Sequence, residues 1–222
     1  MFNAIFRFIT VLYSYIAKFK TKKSFVLKSI IKTNGSEVSF YNSRVMASTI
    51  NIHTSGNTFL CQGNIISSNI DIWGSGNIIM VEKNVELNGT RIVLRGNNCT
   101  VKIGSNTHFC NSTLVCMGSK NELTFGEGCM IADGAEFWNT DTHPILDFNN
   151  NVINVSKPIH LGNKVWVGKN SKVLKGVTIG NNAIIGMCSI VTKNIEPNTI
   201  NVGIPTKKIK SGVHWKRCYI DE

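Results

Sequence analysis

The sequence predicts an all-β solenoid, and three observations predict it. From Leu161 onward the chain divides into sixes, LGNKVW, VGKNSK, VLKGVT, IGNNAI, IGMCSI and VTKNIE, each opened by an aliphatic residue at 161, 167, 173, 179, 185 and 191. Upstream, SGNTFL, SGNIIM, GNNCTVKIG and SKNELTFG recur, with Asn57, Asn77, Asn98 and Asn121 spaced 20, 21 and 23 residues apart. Neither an ordinary helix nor a hairpin has a period of six, whereas coils that stack to share one core have a fixed short period. The third observation is the single place where the pattern stops, between Trp138 and Pro158.

Taken in order, residues 1–32 read as a basic amphipathic segment. Phe2, Ile5, Phe6, Ile9, Leu12, Tyr13 and Ile16 fall at helical spacing and KFKTKK follows. The apolar run over residues 1–17 is short of the ~18–20 residues a spanning helix needs and contains Arg7. It fits either an interfacial helix in peripheral contact with anionic headgroups or a helix packed on its own protein. Residues 33–196 read as the solenoid, with eight or nine coils from about residue 38, stacked at ~4.8 Å. Each hexad turns two residues inward, while glycine and asparagine supply the turns and the repeated asparagines are expected to stack. Pro144 and Asn149–Asn151 break any strand ladder, so 139–158 leaves the prism as a loop, a favoured place for catalytic groups. Residues 197–222 form a basic tail.

The formal charge of +11 is concentrated at the two ends, in residues 7–32 and 207–217, with a nearly neutral middle. That polarity argues against a nucleic-acid binder and for local anionic targets such as lipid headgroups or ligand phosphates. Seven cysteines without a CxxC pair, most of them replacing small apolar residues in repetitive segments, read as buried reduced thiols. Without a secretory signal, the expected compartment is the cytoplasm.

The phrases TDTHPI, KPIHLGNKVWVGKN, LKGVTIGNNAIIG and VTKNIEPNTINVGIPTKKI follow one another within residues 139–209. This order resembles the hexapeptide-repeat acyltransferases, of the sugar and polysaccharide O-acetyltransferase type. The resemblance implies a left-handed parallel β-helix, a homotrimer whose sites are completed by a neighbour, acetyl-CoA as donor, and a carbohydrate acceptor such as a capsular or lipopolysaccharide glycan. It also implies a histidine base in the bend, matched here by His143. A sugar hydroxyl is a poor nucleophile until its proton leaves, and a neutral imidazole that takes it contributes roughly 10²–10⁴ in rate. Asp141 or Asp147 is placed to orient the ring and stabilise the imidazolium.

By the same resemblance, the backbone N–H of Lys169, after Trp166 and Gly168, serves the thioester oxyanion. Met187 lies along the pantetheine arm, and Thr192, Lys193 and Lys207, with Lys210 as an extra cation, meet the nucleotide phosphates. One departure is the Met187–Cys188 pair, bulkier than the family's Ala-Gly. His53, His108, His160 and His214 read as structural or surface residues. No H-x₄-H pair exists and the cysteines lack metal-site spacing, which argues against a zinc hydratase of the same fold and for a reaction without metal. Two other functions stay open, N-acetylation of an amino sugar and a non-catalytic membrane-docking solenoid.

Overall fold

A computed structural model describes residues 19–218 and 220. The strands form three sheets, here A, B and C, and the chain visits them in rotation. Sheets A and C have eight strands each, running from Phe19–Lys22 to Thr178–Ile179 and from Ile30–Lys32 to Ile190–Val191. Sheet B has ten, because two strands are added after the eighth coil. All pairings are parallel except the last, between Thr199–Gly203 and Thr206–Ser211. The described residues therefore make an eight-coil solenoid with three parallel faces and no helix.

Alternation builds it. In Thr58–Cys61, Phe59 and Cys61 are buried while Thr58 and Leu60 are half-buried, the period of two that points successive side chains to opposite faces. The three sheets meet in the core: Phe109 of sheet B, Phe125 of sheet A and Phe137 of sheet C make edge-to-face contacts at 4.9 Å, a geometry that adds to the ~1.5–3 kcal/mol of burying each ring. Corner polar groups are satisfied coil to coil. The Ser29, Ser48 and Ser68 hydroxyls accept from the N–H groups of Ser48, Ser68 and Thr90 at 3.0–3.1 Å.

The expected asparagine stack forms with one change of member. Asn57, Asn77 and Asn121 are buried, but the register places Cys99, not Asn98, between the last two. The Asn77 N–H donates to Asn57 Oδ1 at 3.0 Å and the Cys99 N–H to Asn77 Oδ1 at 2.9 Å. Asn98 instead takes a positive φ of 56° at the turn, a conformation asparagine tolerates. Of the seven cysteines, Cys61, Cys99, Cys116 and Cys129 are buried and free as expected, whereas Cys110, Cys188 and Cys218 are exposed.

Two expected boundaries move. The first coil starts by Phe19, where Phe19–Lys22, Phe25–Leu27 and Ile30–Lys32 pair with the next coil, so residues 19–32 belong to the solenoid and not to an N-terminal segment. Their lysines misled because they face solvent from strands. The region after Glu196 begins as a hairpin that extends sheet B, with a cis Ile204–Pro205 bond, so the expected basic tail over 197–222 starts as part of the solenoid. The expected helix over residues 1–17 lies outside the described residues. No helix among the described residues is long and apolar enough to cross a membrane.

Candidate active site

The break in the hexads leaves the solenoid at the corner between sheets C and A. It departs after Glu136–Trp138 and returns at Ile159–Leu161. Its arm doubles back on itself: Leu146 and Val152 form an antiparallel bridge, and the Ile153 N–H donates to the Ile145 carbonyl at 2.9 Å. Asp147 makes the tip, accepting from the N–H groups of Asn149 and Asn151 at 2.8 and 2.9 Å. These bonds, those of Asn151 first, hold its carboxyl below the usual carboxylate range.

His143 is exposed near the root of the arm, with its N–H donating to the Asp141 carbonyl at 2.8 Å. The root is clamped from the solenoid. Lys175 Nζ pairs with Asp141 Oδ2 and donates to the Asn154 carbonyl at 2.9 Å. Asn154 Nδ2 donates to Asp141 Oδ2 and to the His143 carbonyl, each at 2.9 Å. The Lys175 bond, with Asn154 second, lowers the pKa of Asp141. The two carboxylates expected to orient His143 are thus engaged elsewhere, and among the described residues none bonds its imidazole. Asp141 positions the His143 backbone; Asp147 shapes the tip. The sequence reasoning missed Asn154 and Lys175, for which the only sequence signal is that Lys175 falls at the same C–A corner one coil later.

The expected donor residues divide among three places. Trp166 lies partly exposed in sheet B, and Gly168 and Lys169 follow at the corner between sheets B and C. Met187, one coil later at the same corner, is exposed. The Lys169 and Met187 N–H groups have no acceptor among the described residues. Gly168 is fixed by crowding, since a Cβ there would come within 2.6 Å of the Met187 nitrogen. The Lys169 side chain turns to Asp133 at 3.2 Å. Thr192 and Lys193 lie at the C–A corner above the loop root, and Lys207 and Lys210 are on the last strand of sheet B. Lys193, Lys207 and Lys210 make no ion pair among the described residues, whereas Lys208 pairs with Glu196 at 2.7 Å. The His143 corner and the Lys169–Met187 corner accordingly flank opposite edges of sheet C in one chain. No cluster of metal-ligating side chains occurs among the described residues.

The model for bacterial transferase hexapeptide (six repeats) matches residues 158–193. Polysialic acid O-acetyltransferase of Neisseria meningitidis is 32% identical over 151 residues, covering 61% of this chain and 70% of that enzyme. The chain belongs to the hexapeptide-repeat acetyltransferases. Galactoside O-acetyltransferase of Escherichia coli K12, another hexapeptide-repeat relative, is 36% identical over 113 residues, and the match spans 55% of that enzyme's length. Among solved structures, the polysialic acid O-acetyltransferase OatWY superposes with a TM-score of 0.72 at 26% identity, covering 93% of each chain. The polysialic acid-specific acetyltransferase NeuO gives 0.70 at 27%, covering 92% of this hexapeptide-repeat chain and 85% of that one.

Proposed function

We propose that this chain transfers an acetyl group from acetyl-CoA to a hydroxyl of an acidic bacterial surface glycan, in the cytoplasm, with His143 as general base. The observation that carries the reading is His143 held exposed on a clamped arm at the one long interruption of an otherwise regular solenoid. The likeness to two polysialic acid O-acetyltransferases over nearly the whole fold supports the acceptor class.

In this reading, His143 removes the hydroxyl proton as the oxygen attacks the thioester carbonyl carbon. The oxyanion accepts from the Lys169 N–H, the carbon–sulfur bond breaks, and the imidazolium returns the proton to the thiolate of CoA. Met187, Thr192, Lys193, Lys207 and Lys210 hold the pantetheine arm and phosphates. The solenoid winds left-handed, as in the resembled family, and a trimer brings one chain's His143 arm beside a neighbour's donor corner.

Incubation with acetyl-CoA and a panel of neutral and sialylated acceptors, read as thiol release and product mass, tests the activity. His143→Ala should remain folded and lose roughly 10²-fold or more in turnover. Activity within a few-fold of wild type would remove His143 from the role.

A further inference from the structure

The first coil of the solenoid carries charge that neither the core nor the acetyl-transfer site uses. Lys20 and Lys22 face out of sheet A, Lys23 sits at the corner between sheets A and B, and Lys28 at the corner between sheets B and C. All are exposed, and none joins an ion pair among the described residues. Acids are scarce at this end. Residues 1–36 contain none, and across residues 19–52 Lys20, Lys22, Lys23, Lys28, Lys32 and Arg44 are set against Glu37 alone. The next acid along the chain, Asp71, is held within sheet C by Asn51 and Asn69 at 3.1 Å and by His53 at 3.4 Å.

The two corner lysines are costly choices. Lys23 and Lys28 take φ of 51° and 49°, in the left-handed region that residues other than glycine, asparagine and aspartate seldom enter. Asparagine takes the A–B corner at Asn42, Asn84, Asn106, Asn182 and Asn198, and lysine returns there at Lys164. Gly89, Asn111, Gly134 and Asn170 hold the B–C corner in the middle coils. Lysine at both corners of one coil, where asparagine or glycine would fold at less cost, points to a use for the charge.

Between the corners Phe25 points out of sheet B and is 47% exposed. An apolar ring flanked by lysines suits an anionic lipid surface, because the ring enters the acyl boundary while the ammonium groups meet headgroup phosphates. The sequence that leads into the coil has the same character, with Phe2, Ile5, Phe6, Ile9, Arg7 and Lys18 and no acid. That apolar run favours lipid over a nucleic acid, and like charge opposes end-to-end pairing of two copies. In the trimer proposed above, sheet C turns toward the neighbouring copies, so Ile30 and Lys32 are not counted, while the A–B corner points away from them.

We infer that the first coil docks on an anionic lipid bilayer, with Lys20, Lys22, Lys23 and Lys28 on headgroup phosphates and Phe25 at the acyl boundary. Five strand spacings separate Ile30–Lys32 from Glu136–Trp138 in sheet C. A solenoid standing on this end holds the His143 arm about 24 Å from the headgroups. Docking does not depend on acetyl transfer, and its test needs no turnover.

The full chain is sedimented with phosphatidylcholine vesicles, with and without about one third phosphatidylglycerol. Wild type should bind the anionic vesicles, ignore the neutral ones and come off as salt rises. The variant Lys22→Gln, Lys23→Asn, Lys28→Asn places at the corners the residue that later coils use, so thermal unfolding should match wild type or rise. Its vesicle affinity should fall roughly tenfold or more, as expected for three lysines at an anionic surface. The charge-matched control Lys83→Gln, Lys102→Gln, Lys120→Asn, on later coils, should bind as wild type does. Phe25→Ser should weaken binding and leave its salt dependence intact. Equal affinity in the first-coil and control variants overturns the inference, as does equal wild-type binding to neutral vesicles, which would assign the contact to the apolar run alone. Wild type that ignores both vesicles but binds duplex DNA through these lysines overturns it as well.

Discussion

Lys175 and Asn154 turn an exposed loop histidine into a positioned one, and their effect has a pH signature. The carboxyl of Asp141 is depressed by Lys175 first and Asn154 second. A depressed carboxylate stabilises the folded arrangement above its unfolded pKa, and that contribution is lost as pH falls through the folded value. The protection of amides in 139–158 against hydrogen exchange, taken relative to the intrinsic rate at each pH, should therefore stay constant from pH 8 to 5 and fall only below the ordinary aspartate range of about 4. Lys175→Met should lower that protection at neutral pH and weaken its acid dependence, leaving the part that Asn154 supplies. The thiols give a second residue-scale outcome. Burial raises Cys61 and Cys129 to about 11, and thiolates are the reactive species. Alkylation at pH 8 should thus mark Cys110, Cys188 and Cys218 at once and reach Cys61 and Cys129 only in denaturant, as mass spectrometry of the digest would read.

At the scale of the element, the corner ladders hold neighbouring coils in register, and Asn77 is their central rung. Its Oδ1 accepts from the Cys99 N–H at 2.9 Å and its Nδ2 donates to the Gly96 carbonyl at 2.8 Å and the Trp73 carbonyl at 3.1 Å. Asn77→Ala leaves the buried Cys99 N–H unpaired, at a cost of about 1–3 kcal/mol, and removes the bonds to two part-buried carbonyls. Denaturant unfolding should show a matching loss, whereas Asn98→Ala, at the exposed turn, should cost less than half as much. Equal losses would mean that the ladder is incidental. The hydroxyl corners follow the same rule, and the positive-φ turns at Asn84, Asn106, Asn182 and Asn198 repeat it at a third corner.

At the scale of the whole molecule, the arm leaves Ile145, Leu146, Val152, Ile153 and Val155 exposed, with Phe148 fully so. A contiguous apolar surface of this kind marks an interaction site. The His143 corner and the donor corner lie on opposite edges of sheet C in one chain, so association would let the arm of one copy meet the donor corner of another. Light scattering should return three times the mass of the chain. Phe148→Ser with Ile153→Ser should lower that mass and reduce acetyl transfer with it, as closed symmetric assemblies lose their shared sites together. A fully active monomer would refute the shared site.

The sequence by itself determined the solenoid, because period six leaves no other way to bury two residues in every six, and it located the arm, because only one long stretch breaks that period. It also singled out His143, through the company of Pro144 and the phrases that follow. Tertiary structure decided what the spacing of single letters could not. Residues 19–32 look like a basic leader until strand pairing shows their lysines to be the outward half of a coil. Asn98 and Cys99 are adjacent in sequence, and only register tells which of them enters the ladder. Asp141 stands two residues from His143, yet its carboxylate is taken by Lys175 from 34 residues away. The Trp73–Arg95 stack spans one coil, a separation at which a linear reading sees two unrelated residues. The local period follows from which residues can be buried, and that is written in composition; contacts between coils depend on how many residues each turn inserts, and only stacking fixes that number.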